Sequence, residues 1–333
     1  LCRRNKFQCF LRGVRPVNLI SLKTYVPKTR VALETLVECR GGNPSEAKIF
    51  RQLFGFKHAS SLAEDESAQT CLLRLLEQTS ASGINGPAID AVILVQGLPA
   101  QSPRQRVDLK AIRASCPAIS DHALLFHLNQ QNCATLFWGL KLADRLLAHG
   151  EVKRVALLAG DTLADFVLSE RYVPGCTLIG DAFACALLET GTGACTISDI
   201  HCCHRPEFWP GLDGTQDDVR RFYHAHDDLA SMVLNEYPAE FRAQAWLLPH
   251  NINKLAWQTW ARHPTNTQQR IATDLISETG HCYTTDPFLL LETYAPDKTG
   301  SPAILLSVGL GGWVGSAKVT QHLYKDHNNV CER

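Results

Sequence analysis

The sequence predicts an α/β protein in which a parallel-rich sheet lies between layers of helices. Apolar runs of strand length, at residues 89–97 and 152–161, alternate with amphipathic helical patterns such as residues 66–83. Runs that are apolar at every position are typical of strands buried on both faces. No low-complexity linker divides the 333 residues, so we expect one large domain or two closely associated ones.

The first half of the chain alternates strands and helices. The predicted strands are residues 17–27, 89–97, 123–129, 152–161 and 183–190. Helical patterns cover residues 45–56, closed by Gly55, and residues 66–83, closed by Gly83, and a third follows Cys133. This order of elements predicts parallel strands with helical crossovers.

The second half repeats this pattern less regularly. We predict a strand within residues 241–251, a helix at 252–263, and a buried strand at 302–312 that runs into glycines. The least regular stretch is residues 201–228, which we interpret as an insertion or a cap region.

The overall composition excludes several classes of protein. The net charge is zero and the pI is near 7.3, which does not favour a nucleic-acid partner. No apolar run approaches the roughly 18 residues that a membrane helix needs. The 13 cysteines are scattered, which is typical of a reducing, cytoplasmic compartment. We expect the basic residues 1–16 to be a disordered or non-native N-terminal segment.

Cys133 lies where a polar run, Asn-Gln-Gln-Asn, gives way to an apolar helical pattern. The start of a helix presents unpaired N–H groups and a partial positive charge, which would stabilise a thiolate and lower its pKa. The backbone N–H there could also stabilise an oxyanion. Cys133 is therefore a candidate nucleophile. The alternative is a buried structural thiol, like the other cysteines.

Two histidines also lie at junctions between elements. His250 follows an apolar strand and a proline, with Asn251 and Asn253 close by, and His281 follows a glycine before an apolar run. Strand ends are where α/β sheets place their chemistry, and histidine is the commonest acid–base residue. The alternatives are a surface histidine and a helix-capping asparagine. The glycines of residues 309–312 suit either an oxyanion site or a tight turn.

In this order the motifs resemble the ketoacyl-acyl-carrier-protein synthase III group of the thiolase superfamily. The resemblance covers residues 17 to 319 and rests on five motifs in order. These are the cysteine, helix, glycine and strand of residues 129–161, TLIGDAFACALLE, PHNIN, GHCYTTDP and VGLGGWVGSAKV.

The resemblance implies a thiolase-like five-layered α/β/α/β/α fold with internal duplication. One half would comprise residues 17–195 and carry Cys133, and the other, residues 196–333, would carry His250 and His281. The resemblance also implies a homodimer, or a heterodimer with a related subunit, and a pantetheine tunnel that leads to the thiol.

For the site, the resemblance implies catalytic roles for Cys133, His250 and His281. Backbone N–H groups of Cys133, Leu310 and Gly311 would form the oxyanion hole. Supporting roles fall to Asn253 and Asp286, and Arg51 and Lys254 are candidates for contacts with pantetheine or a carrier protein.

Two positions depart from the family pattern. His281 stands where these enzymes usually have asparagine, although elongating ketosynthases use a Cys-His-His set. A neutral histidine can donate one hydrogen bond, as an amide can. Leu310 stands where a middle glycine is usual, which keeps the backbone N–H but alters the floor of the tunnel. The resemblance therefore implies an atypical member of the group.

The resemblance implies an acyltransferase that forms acyl-Cys133 from an acyl-CoA or acyl-carrier-protein thioester, without a resident cofactor. We expect a decarboxylative Claisen condensation in specialised metabolism. The alternatives are transfer to an O, N or S nucleophile, a hydrolase or lyase, and a non-catalytic partner subunit. We expect no metal, because the adjacent residues 201–204 (HCCH) cannot easily converge on one zinc ion.

Overall fold

The structure is a computed structural model. It describes residues 16–82, 86–191, 195–211, 214–242, 244–262, 270–294 and 302–321. Residues 1–15, most of the segment expected to be disordered, lie outside this part. The strands are β1 (Val17–Tyr25), β2 (Thr29–Ala32), β3 (His58–Ser61), β4 (Ile89–Val95), β5 (Ile119–Leu128), β6 (Arg154–Asp161), β7 (Tyr172–Val173), β8 (Thr177–Leu178), β9 (Ala182–Thr190), β10 (Cys195–His204), β11 (Trp246–Pro249), β12 (Arg270–Ile271), β13 (Ala303–Gly309) and β14 (Trp313–Gln321).

Helices connect these strands and cover both faces of the sheet. They are α1 (Leu33–Cys39), α2 (Pro44–Ile49), α3 (Ala68–Ser82), α4 (Leu109–Ser115), α5 (Thr135–His149), α6 (Gln216–His224), α7 (His226–Leu234), α8 (Pro238–Arg242), α9 (Lys254–Arg262), α10 (Ile276–Thr279) and α11 (Asp286–Tyr294). Within the described residues, no helix is long and apolar enough to cross a membrane.

Ten strands form one sheet made of two similar halves. The order is β12-β11-β13-β14-β10-β1-β9-β6-β4-β5. In one half β6, β4 and β5 are parallel, while β9 and β1 are antiparallel additions. The other half repeats this plan with β13, β11 and β12 parallel and with β14 and β10 antiparallel. The halves join where β1 pairs with β10, so the topology confirms the internal duplication.

The packing of the helices gives five layers, in which the two halves of the sheet form the two β layers. Helices α5 and α11 each contact strands of both halves and form the middle layer. Helix α3 covers the outer face of the first half, and α7 covers the outer face of the second. Along β4, Ile93 and Val95 belong to the middle cluster, whereas Val92 and Leu94 pack with the α3 cluster. This alternation explains why the strand is apolar at every position.

The predicted strands and helices are confirmed with shifted ends. The predicted helix at 45–56 begins as α2, continues as a π-helical turn from Phe50 to Phe54, and ends at Gly55, which has φ of 86°. The predicted strand within residues 241–251 shortens to β11, because Phe241 still belongs to α8. The boundary between residues 195 and 196 remains a prediction.

The interpretation of residues 201–228 as an insertion or cap is wrong at both ends of that stretch. Residues 201–204 end β10, which pairs with β14 inside the sheet. Helix α6 begins at a capping box in which Thr215 and Asp218 bond each other's backbone. Helix α7 packs Leu229 and Val233 onto β13 and β14 and belongs to an outer layer. Many polar and aromatic residues hid these elements from periodicity alone.

A buried ion pair anchors the Gly-Asp motif beside the sheet. Arg171 contacts both carboxylate oxygens of Asp181 at 2.8 Å, and the two side chains are 2% and 0% exposed. Asp181 also accepts the backbone N–H groups of Leu62 and Leu163. The pair therefore joins three loops around one carboxylate, and each charge depends on the other for its solvation.

We predict that Arg171→Met lowers the free energy of unfolding by about 3–5 kcal/mol, because Asp181 is left as an uncompensated buried charge. The matched control is Arg40→Met, which breaks an exposed ion pair with Glu170 and should cost less than about 1 kcal/mol. Chemical denaturation of both variants measures the difference. Equal losses would show that Asp181 does not depend on Arg171.

Candidate active site

Cys133 lies in a short 3₁₀ turn, Asn132–Ala134, immediately before α5. Its Sγ lies 3.0 Å from Nε2 of His281 and 3.0 Å from Oδ1 of Asn132. Burial raises the pKa of the Cys133 thiol well above its ordinary value, and the carboxylates of Asp286 and Asp161 raise it further. The expectation that the helix terminus lowers this pKa is therefore wrong. Desolvation of the thiolate outweighs the backbone hydrogen bond at Cys133 that lowers this pKa, so burial favours the thiol form.

His281 is positioned by a backbone bridge to the Gly-Asp motif. Its N–H donates to the carbonyl of Leu178 at 2.7 Å, and its carbonyl accepts the N–H of Gly180 at 3.0 Å. A Cβ at Gly180 would lie 1.9 Å from the carbonyl oxygen of Thr279, so only glycine permits this approach. The ion pair of Asp181 thus holds the segment that places His281 beside Cys133.

Asp286 fixes the orientation and tautomer of His281. Its Oδ2 lies 2.5 Å from Nδ1 of His281 and accepts the N–H of Asn251 at 2.8 Å. Its Oδ1 accepts the N–H of Cys282 at 2.9 Å and the side-chain amide of Asn251 at 3.2 Å. Because both oxygens receive N–H donors, Nδ1 of His281 is the protonated nitrogen. Nε2 therefore carries a lone pair and faces Sγ.

His250 has the opposite tautomer. It follows β11, and its Nδ1 accepts the N–H of Val308 at 3.3 Å, which leaves the proton on Nε2. Burial lowers the pKa of His250 well below its ordinary value, and the nearby His281 and His226 add to this effect. The rings of His250 and His281 lie 5.5 Å apart. The site thus pairs a neutral donor with a base.

Asn132 is a site residue that the sequence analysis missed. It has φ of 50°, its Nδ2 donates to the carbonyl of Gly97 at 3.2 Å, and its Oδ1 accepts the N–H of Leu310 at 3.1 Å. Its place directly before Cys133 was the only available signal. Nothing in a single sequence indicates which way that side chain turns.

The glycine-rich segment after β13 lies against the nucleophile turn. A Cβ at Gly309 would come within 2.4 Å of the carbonyl oxygen of Gln131. The N–H of Leu310, a predicted oxyanion donor, is bonded to Oδ1 of Asn132, the residue before Cys133. Gly311 has φ of 98°, and its carbonyl lies 3.1 Å from Nε2 of His204.

Asp161 supports the loops on the other side of the thiol. It ends β6, and its carboxylate accepts the N–H groups of Gly97 and Leu98 and the hydroxyl of Thr284. Burial raises the pKa of Asp161 to about 6. The sequence analysis did not single out this residue, although it closes a buried strand.

Apolar side chains pack around Cys133. Leu163, Ile179 and Tyr283 pack with it, and partly buried residues extend the cluster: Leu98, Phe166 and Val173. This cluster offers an apolar environment next to the sulfur.

A cavity of about 360 Å³ lies on the side of His250. Its lining includes Phe54, Cys176, Tyr223, His226 and Asn253. The ring of His226 lies 5.6 Å from that of His250, so the cavity approaches the histidine pair. Asn253 donates to the carbonyl of Cys176 at 2.9 Å and caps α9 through the N–H of Ala256.

Arg51 and Lys254 do not line this cavity. Arg51 is exposed and pairs with Glu34 at 2.5 Å. The aliphatic part of Lys254 covers Gly55, where a Cβ would come within 2.4 Å of its Cδ. Asn253, which was predicted in a supporting role, does contribute to the cavity wall.

The HCCH stretch does not gather around one point. His201 packs edge-on against Tyr237, whereas His204 stacks on Trp313 with ring centroids 3.7 Å apart. Among the residues that the structure describes, no group of three or more histidine, cysteine or acidic side chains is arranged to hold a metal ion.

Part of the sequence matches a known protein family. The sequence model of the 3-Oxoacyl-[acyl-carrier-protein (ACP)] synthase III family matches residues 126–205, a segment that contains Cys133 and Asp181. No match was found among curated proteins.

Solved structures share the fold at low sequence identity. FabH of Xanthomonas oryzae pv. oryzae, a 3-oxoacyl-(acyl carrier protein) synthase III, has a TM-score of 0.75 at 13% identity, covering 92% of this chain and 99% of its own. The 3-oxoacyl-(acyl-carrier protein) synthase of Burkholderia xenovorans LB400 has a TM-score of 0.73 at 18% identity, covering 92% and 94%. Cerulenin-bound OleA of Xanthomonas campestris has 0.72 at 13%, covering 92% and 99%. These structures confirm the predicted thiolase-like fold, and the family model confirms the resemblance to the ketoacyl synthase III group over residues 126–205.

We predict that alkylation of Cys133 by iodoacetamide keeps accelerating as the pH rises beyond 9.0, the ordinary value for the thiol, because its pKa is raised. Peptide mass mapping follows Cys133 separately, with the exposed Cys39 as an internal reference for reagent quality. A plateau in the Cys133 rate below pH 8 would instead indicate a stable thiolate at rest.

Proposed function

We propose that this protein is an acyltransferase of the ketoacyl synthase III type that carries its acyl group on Cys133. The observation that carries this proposal is the chain of contacts from Sγ of Cys133 to Nε2 of His281, and from Nδ1 of His281 to the buried Asp286. A nucleophile, a base and a group that orients the base are the components of covalent acyl transfer.

In the first step His281 takes the proton of the Cys133 thiol through Nε2, and Sγ attacks the carbonyl carbon of an acyl thioester. The bond between that carbon and the donor sulfur then breaks, and His281 returns the proton to the departing thiol. Asp286 stabilises the transient imidazolium. The products are acyl-Cys133 and the free donor thiol.

The surroundings of Cys133 suit a thioester donor. The apolar side chains of Leu163, Ile179 and Tyr283 fit an acyl chain, and the cavity near His250 fits a pantetheine arm with Asn253 in its wall. The donor would be acyl-CoA or an acyl carrier protein, and no resident cofactor is needed. Lys254 lies between two cavity-lining residues in sequence and remains a candidate for phosphate contacts, as does Arg51 near Phe54.

The acceptor step follows from the tautomers of the two histidines. In the acyl-enzyme, His281 again has its proton on Nδ1, so Nε2 can remove a proton from an incoming S–H, N–H or O–H group. His250 can donate its Nε2 proton to the carbonyl oxygen. This arrangement favours non-condensing transfer over the condensation that the sequence analysis expected.

Decarboxylative condensation with a malonyl thioester remains the second candidate. His250 is a neutral donor suited to an enolate oxygen, which is the observation in its favour. Condensation would need a second hydrogen-bond donor at that oxygen. His281 could supply one only while its Nε2 also carries a proton. A site of this kind would suit specialised metabolism.

The other roles fit less well. A non-catalytic partner subunit has no need of the contacts among Cys133, His281 and Asp286. A hydrolase would require water to reach the acyl group on Cys133, and Cys133 is 4% exposed in the free protein. A homodimer, or a heterodimer with a related subunit, remains part of the proposal.

We predict a mass gain equal to one acyl group after incubation with acyl thioesters, and no gain in Cys133→Ala. Adding a thiol, amine or alcohol acceptor should then discharge the acyl group, whereas malonyl thioester should not. Intact-protein mass and product analysis measure both steps. Discharge by malonyl thioester with release of carbon dioxide would establish condensation, and discharge in buffer alone would indicate hydrolysis.

We predict that Asp286→Asn slows acylation of Cys133 by about 10²–10⁴-fold, because the amide favours the wrong tautomer of His281. The matched control is Asp165→Asn. The Asp165 carboxylate accepts the backbone N–H of Arg104 and takes no part in the contacts among Cys133, His281 and Asp286. Single-turnover acylation measured by mass gives the rates. A loss below threefold in Asp286→Asn would contradict a base role for His281.

A further inference from the structure

The carboxamide of Asn132 lies where an acyl donor would place its carbonyl oxygen. Oδ1 of Asn132 is 3.0 Å from Sγ of Cys133 and 3.1 Å from the backbone nitrogen of Leu310. An oxyanion donor needs to lie about 2.7–3.1 Å from the oxygen that it stabilises. Oδ1 of Asn132 therefore accepts the hydrogen bond from the Leu310 N–H that the thioester oxygen would otherwise accept.

We propose that the Asn132 carboxamide occupies the oxyanion position of the resting enzyme and that the thioester oxygen displaces it before Cys133 attacks. This inference rests on the acyl-transfer function proposed above. Asn132 thereby sets part of the cost of donor binding, since a donor must replace its hydrogen bond to Leu310.

The local backbone supports a side chain held in this place. Asn132 has φ of 50°, a left-handed conformation that asparagine tolerates better than most residues. Its Nδ2 donates to the carbonyl of Gly97, which fixes Oδ1 as the atom that faces Leu310. The carboxamide is thus held at both ends by neutral hydrogen bonds, which a ligand can exchange at modest cost.

Asn132 also competes with His281 for the thiol proton. The single S–H of Cys133 has two acceptors at 3.0 Å, Oδ1 of Asn132 and Nε2 of His281. While the proton points to Asn132, His281 cannot remove it. Displacement of the carboxamide would therefore free the oxyanion donor and direct the proton to the base in one movement.

Two small reagents separate these effects in the full chain. p-Nitrophenyl acetate acetylates a thiol through a carbonyl oxygen that needs stabilisation, whereas iodoacetamide alkylates by displacement and forms no oxyanion. We expect Asn132→Gly to raise the ratio of the acetylation rate to the alkylation rate at Cys133 by about threefold to tenfold, the worth of one neutral hydrogen bond. Peptide mass mapping gives both rates.

Two further variants act as controls. Gln131→Gly removes the neighbouring amide and adds the same backbone freedom, and its side-chain oxygen bonds nothing in the described residues, so the ratio should not change. Asn132→Asp keeps an oxygen that holds Leu310 more tightly, so the ratio should not rise. A change in the exposure or acidity of the Cys133 thiol alters both the acetylation rate and the alkylation rate, so it cancels in their ratio.

An unchanged or lower ratio in Asn132→Gly would overturn the proposal, as would an equal rise in Asn132→Asp or Gln131→Gly. If wild-type Cys133 is alkylated but accepts no acyl group from any donor, acyl transfer itself fails and this inference with it. If wild-type Cys133 is acylated and the ratio does not rise, only the role of Asn132 is lost.

Discussion

The hydrogen bond between the buried carboxylate of Asp286 and Nδ1 of His281 determines the chemistry of the site. A buried carboxylate is costly unless donors surround it, and Asp286 receives them from His281, Asn251 and Cys282. It is also the first residue of α11, where the helix favours negative charge. With this carboxylate in place, His281 must present a lone pair to Cys133. An asparagine at position 281 would present a donor instead.

The duplicated fold explains how the parts meet. Helices α5 and α11 fill the middle layer. Cys133 lies in the short turn before α5, Asp286 is the first residue of α11, and His281 lies in the segment that leads into α11. The site therefore forms where two helix N-termini come together between the halves of the sheet. The Arg171–Asp181 pair and the bridge from Ile179 to His281 hold this junction from outside. Stability and function depend on the same loops.

Part of this arrangement could be predicted from the sequence. Strands such as β4 and β6 were visible because strands buried on both faces are apolar throughout, and Cys133, His250 and His281 were visible because they end or begin elements. Strand β10 was missed because it mixes polar and apolar residues. The tautomers, and the side-chain direction of Asn132, depend on partners such as Val308 and Leu310 that are distant in sequence. The raised pKa of Cys133 depends on burial, which no local motif specifies.

The measurement that tests the central claim most directly is the tautomer of each site histidine, read from ¹⁵N NMR of histidine-labelled protein. His281→Gln and His250→Gln variants assign the signals. We expect His281 to carry its proton on Nδ1 and His250 to carry its proton on Nε2. If His281 instead carries its proton on Nε2, it is a donor like His250, and the base-assisted transfer proposed here is contradicted.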